Sequence, residues 1–154
     1  MLHPEKIILG LRRLLLGLLV LGLIGVGGEL LLLRHHEDIW QLVPLILIAM
    51  ALAASVWHLF RQDAASVRAL QIIMTLFVAA GALGVVLHYR ASMEYQLESN
   101  PSMSGLRLFS KVIRAKAPPA LAPGAMVQLG LLGLIYTYRH AALSRPQPSE
   151  TQPT

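Results

Sequence analysis

Few side chains in this 154-residue chain could do chemistry, and the most conspicuous one sits where a charge is costly. In "GVGGELLLLRHHED", residues 25–38, Glu29 lies inside a run of leucine and glycine, with His35 and His36 close behind it. A carboxylate at the centre of a membrane-crossing helix costs roughly 2.5–3.5 kcal/mol on insertion scales, and less toward the interface. Glu29 precedes Arg34 by five residues, about 7 Å along a helix axis. Gly22, Gly25 and Glu29 follow i, i+3, i+7, and His36 falls seven further on. One helical stripe therefore carries two glycines, an acid and a histidine. Gly81, Gly84 and His88 repeat the spacing. Gln128 lies about 10 Å inward from Leu121 and so at similar depth.

These positions predict that Glu29, His88 and Gln128 meet in the outer half of a helical bundle, with His35 or His36 above them. Beside Glu29, His88 would hold its proton, and each group would lower the other's desolvation cost. Such a pair suits a proton-sensitive lock, a small-ligand anchor or part of a metal site. The glycines would let neighbouring backbones approach closely. The spacing is also what abundant small residues produce by chance: Ala51, Ala54 and His58 match it, as do Gly130, Gly133 and Thr137. A structural hydrogen bond is the simpler role for a lone glutamate near a helix end.

Two metal chemistries are weaker still. Bis-histidine haem ligation needs two imidazoles at one level, whereas His58 and His88 close opposite ends of their spans. Glu29, His36, His88 and the acids of "RHHED" have donor types that suit zinc, copper or iron, but their spacing matches no known signature. No metal and no cofactor are expected. There is no nucleophile elbow, phosphate loop or HExxH motif, and "GVGG" lacks the preceding strand a dinucleotide loop requires. The chain reads as no enzyme.

The elements that must position these residues follow from composition. The chain is 55% hydrophobic and 14% charged, against about 25% charged in ordinary soluble domains. Its apolar residues form blocks long enough for a hydrocarbon core of about 30 Å, which takes roughly 20 helical residues. Four spans are predicted, at 14–33, 39–60, 69–89 and 121–138, with period-2 alternation absent from all of them. The first is too long for a signal-peptide core. Trp40 and Trp57, seventeen residues or about 25 Å apart, suit the two aromatic belts of span two. Trp57, His58 and Arg61 read as interface anchors, as do Tyr136, Tyr138 and Arg139. Leu106, Phe109 and Ile113 alternate in face with Arg107, Lys111 and Arg114, which predicts an amphipathic helix over about 104–116, its cations among lipid head groups.

The expected fold is an all-α integral membrane protein, an up-down bundle of four transmembrane helices with a short interfacial helix between spans three and four. Residues 1–143 form one domain, and 144–154 a disordered, proline-rich tail. The net charge of +5 is distributed at span ends, which points to membrane surfaces rather than nucleic acid. Lys6, Arg12 and Arg13 before span one place both termini in the cytoplasm, by the positive-inside rule, in a bacterial inner membrane. The expected partners are the bilayer and a homo-oligomer or larger membrane complex. The expected function is that of a non-catalytic membrane subunit or accessory protein; the alternative is a small transporter or ligand-binding protein using an outward-facing site around Glu29 and His88.

Overall fold

A computed structural model describes residues 4–34, 39–114 and 121–144, and the regular elements among them are all helical. Helix α1 spans Pro4–Leu32, α2 Ile39–Arg61, α3 Ala64–Ser99, α4 Gly105–Ile113 and α5 Leu121–Thr137, followed by a 3₁₀ turn at Ala141–Leu143. Three of them, α1, α2 and α3, are long and apolar enough to cross a membrane. The apolar α5 has 17 residues, about 26 Å at a rise of 1.5 Å each. His36, residues 115 and 116 of the expected interfacial helix and the tail from 145 onward lie outside the described residues.

Helix boundaries follow local chemistry. The first helix begins well before residue 14, because Glu5–Arg13 contains no proline and only one glycine, Gly10. Helix α3 starts at an N-cap, where the Asp63 carboxylate accepts from the Ser66 backbone N–H at 2.9 Å. That bond satisfies one of the donors left over in a first turn. The same helix runs ten residues beyond Tyr89, the end expected for span three, and reaches 36 residues. "RASMEYQLES" holds no breaker, and the helix stops at Asn100, immediately before Pro101, where helical geometry is disfavoured. The chain then turns and α4 folds back on this extension. Val112 is fully buried and the Tyr89 and Phe109 rings lie 6.2 Å apart. Arg107, Lys111 and Arg114 remain exposed.

Helix α1 packs on α2 and α5, and α3 packs on α2 and α5, so the long helices and α5 contact one another in a ring. The interior is aliphatic: Leu19 and Leu23 of α1, Ile48 and Ala51 of α2, Leu70, Met74 and Phe77 of α3, and Met126 and Leu129 of α5. Large apolar side chains also cover the outside, among them Leu18, Leu21, Ile72 and Leu131. A surface of this kind is stable in hydrocarbon and a liability in water.

The Asp63 carboxyl is held below the usual carboxylate range, chiefly by the Ser66 N–H and then by the Ser66 side chain, with a smaller contribution from Arg61. A depressed pKa in the folded state stabilises above the unfolded-state value of about 3.9 and ceases to do so as pH falls through the lower, folded value. Asp63→Ala is therefore expected to lower the melting temperature in detergent at neutral pH. The gap from wild type should narrow as thermal scans move toward pH 3.

Candidate functional site

The predicted residues do not converge. Glu29, His88 and Gln128 are all exposed. His88 lines a cleft at one end of the helices, and neither Glu29 nor Gln128 contributes to its wall. Among the described residues no group of three potential metal-ligating side chains occurs. The cleft has a volume of about 280 Å³ and lies between the first turns of α2 and α5, the middle of α3 and Leu30 of α1. Its walls are apolar, with Leu30, Pro44, Leu83 and Met126, and its polar side chains are Gln41 and His88. Pro44 has no N–H to offer the carbonyl of Trp40, which precedes it by one helical turn. The cleft thus combines apolar walls with a few polar groups, the usual make-up of a small-molecule pocket.

The packing glycines fall differently from the predicted stripes. A Cβ on Gly22 would meet Leu129 Cδ2 at 2.5 Å, and one on Gly84 would meet Pro123 Cβ at 3.1 Å. At Gly81 it would lie 2.7 Å from the Pro123 carbonyl oxygen. Gly25 has no such neighbour within 4 Å. Gly130, by contrast, would place a Cβ 2.8 Å from the Met74 carbonyl oxygen, and at Gly133 a Cβ would strike the Met74 side chain. The close approach of α3 and α5 therefore depends on Gly81, Gly130 and Gly133, two of which belong to a set that chance alone would explain. Ala51, Ala54 and His58, the other such set, are also buried.

A polar cluster occupies the end opposite the cleft. His58 is 2% exposed and Tyr136 4%, so neither is an interface anchor, whereas Trp57, Arg61, Tyr138 and Arg139 are exposed. The His58 ring meets Tyr136 edge-on at 5.7 Å and His140 at 5.2 Å. Its Nδ1 lies 2.8 Å from the Ser66 hydroxyl, which is itself 2.9 Å from the Asp63 carbonyl oxygen. The hydroxyl has one proton; donated to Asp63, it leaves the oxygen free to accept from His58 Nδ1–H. Arg12 of α1 completes the cluster. Its Nη1 donates to the Tyr136 carbonyl at 2.6 Å, and its Nη2 to the carbonyls of Tyr138 and Arg139 at 3.0 and 3.1 Å. Those carbonyls lie where α5 runs out of intrahelical donors. All four apolar helices are tied at this end.

Sequence reasoning missed this cluster, although three signals were available. Asp63 and Ser66 have N-cap spacing, Tyr136 and His140 lie i, i+4, and His58 continues the face of Ala51 and Ala54.

Fold and site together define an all-helical protein with three apolar helices that could span a membrane. Comparison with known proteins adds no relative: no family description matches the chain, and no curated protein or solved structure is detectably similar to it.

Gly130→Ala is expected to destabilise the detergent-solubilised protein by about 1–3 kcal/mol through overpacking against backbone. Gly10→Ala, which meets nothing within 4 Å, should not lower the melting temperature. Arg12→Lys should lower it nearly as far as Arg12→Gln, because a point-like ammonium cannot fork over three carbonyls.

Proposed function

We propose that the chain is a four-span, up-down membrane bundle acting without catalysis, as an accessory subunit of a larger membrane assembly. In this reading α5 is the fourth span, both termini are cytoplasmic and the membrane is a bacterial inner membrane. The α3–α4 hairpin then stands on the outer side, with α4 as an amphipathic element whose Arg107, Lys111 and Arg114 meet lipid head groups or an acidic partner.

The observation that carries the reading is the hairpin itself. Helix α3 continues unbroken past Tyr89, and α4 packs on it through Val112 and the Tyr89–Phe109 contact. The exposed Arg107 and Lys111 border a concavity of about 570 Å³ that also includes Asn100, Ser102 and Ser104. A basic, polar surface is the kind of surface that guides association with a negatively charged partner. The buried polar groups at the other end are consumed in joining helices, which agrees with a structural role for the span region.

A second reading, a small transporter or ligand-binding protein, is favoured by the cleft beside His88. In that reading Glu29 plays no part in the wall, and the ligand is an amphiphile.

Purification in mild detergent followed by native mass spectrometry tests the choice. A co-purifying protein subunit is expected, with its occupancy reduced when Arg107, Lys111 and Arg114 are replaced together by alanine. A stoichiometric small molecule, lost in His88→Leu and unaccompanied by any protein subunit, would overturn the accessory reading in favour of the second.

A further inference from the structure

Beyond α5, the chain is fastened to the bundle through an imidazole. His140 takes the N-cap position of the 3₁₀ turn at Ala141–Leu143, and its Nδ1 accepts from the Ala142 backbone N–H at 3.2 Å. Ala142 is buried, and the turn packs on α3. A ring nitrogen accepts through its lone pair, so this bond exists only while Nδ1 carries no proton. A second imidazole stands against the first. The His58 and His140 rings lie 5.2 Å apart, and each lies 5.7 Å from the Tyr136 ring. His58 is buried, and its Nδ1 is engaged with Ser66.

Cations outnumber anions around this cluster. Arg12 of α1 is bonded to the carbonyls of Tyr136, Tyr138 and Arg139, and Arg139 directly precedes His140. On the α2–α3 side, Arg61 and Asp63 pair at 3.5 Å, and the Asp63 carboxylate also accepts from the Ser66 N–H. Among the described groups bonded to the cluster, Asp63 is the one acid, and it is already shared. With both imidazoles neutral, three rings pack together. With both protonated, two like charges stand at ring contact and each disfavours the other. Protonation at His140 Nδ1 also removes the Ala142 bond outright. Histidine under no other influence takes up its second proton near pH 6.5. The contacts require the neutral rings, so the hold is complete above that value and is lost as pH falls below it.

We propose that His58 and His140 form a proton-operated latch, whose protonation releases residues 138–144 from α2 and α3. The released segment carries two of the three carbonyls that hold Arg12, those of Tyr138 and Arg139, so the tie between α1 and α5 slackens with it. The latch is independent of the α3–α4 hairpin and of whatever the hairpin engages.

The chain contains no cysteine, so Ala141→Cys, exposed in the turn, carries a single spin label. In lipid nanodiscs that label should be immobilised at about pH 7.5 and mobile at about pH 5, on either side of the histidine value. A label at Leu131→Cys, exposed in the middle of α5, should not change, which separates release of the turn from unfolding of the bundle. His140→Asn supplies a side-chain oxygen that caps the turn at either pH, and should keep the label at position 141 immobilised in acid. If that variant does not fold, His140→Asp replaces it with the same expected result. Its carboxylate is still ionised at the lower pH, caps the turn and attracts a protonated His58. A label at 141 that stays immobilised in acid with His140 in place would overturn the latch. So would equal loosening at positions 141 and 131, or loosening in acid that persists in the capped variant.

Discussion

The carbonyls at the end of a helix have no donor within it, and at the end of α5 one guanidinium from the other end of the chain meets three of them. Arg12 therefore fixes more than a helix terminus. It closes the ring of contacts in which α1 touches α2, α2 touches α3 and α3 touches α5. Without it, the first and last apolar helices would meet only through side chains such as Leu19, Leu23 and Leu129. An aliphatic interior cannot hold helices together by the hydrophobic effect when the surroundings are equally aliphatic. Directional bonds at the helix ends and tight packing between them then decide the arrangement.

The two devices divide the molecule. At one end, Arg12, His58, Ser66, Tyr136 and His140 join every apolar helix through hydrogen bonds and edge-on rings. Along the middle, Gly81, Gly130 and Gly133 bring the backbones of α3 and α5 together. At the other end Gly84 still packs against Pro123 of α5, beside the cleft. There α2 and α5 begin with residues Trp40–Pro44 and Ala122–Pro123, and the helices separate enough to leave the cleft.

Much of the helical layout was legible in the sequence, because long apolar blocks bounded by charges leave few alternatives. Helix α2 matches its expected bounds within one residue, and α5 likewise. The ends of α1 and α3 were not legible from hydropathy. A helix can continue into water wherever nothing breaks it, and neither Glu5–Arg13 nor Arg90–Ser99 contains a breaker strong enough to stop one. The site was less legible still. Counting residues from the span ends puts Glu29, His88 and Gln128 at similar levels, but level does not fix rotation about the helix axis. The structure turns Glu29 and Gln128 away from the cleft that His88 lines. Glycine spacing had the same weakness: sets at identical intervals face neighbours in α3 and α5 and open space in parts of α1. What decides is which side of each helix its neighbours occupy, and that is a property of the whole ring.

One further consequence comes from the length of α3. Its 36 residues make an unbroken rod of about 54 Å, anchored by its N-cap beside the His58 knot and carrying α4 near its far end. A rod acts as a lever. Pivoted at the knot, a tilt of about 5° sweeps its tip through roughly 5 Å over such a length. A tilt at the knot is thereby carried to the α4 end with no rearrangement inside the helix that connects them.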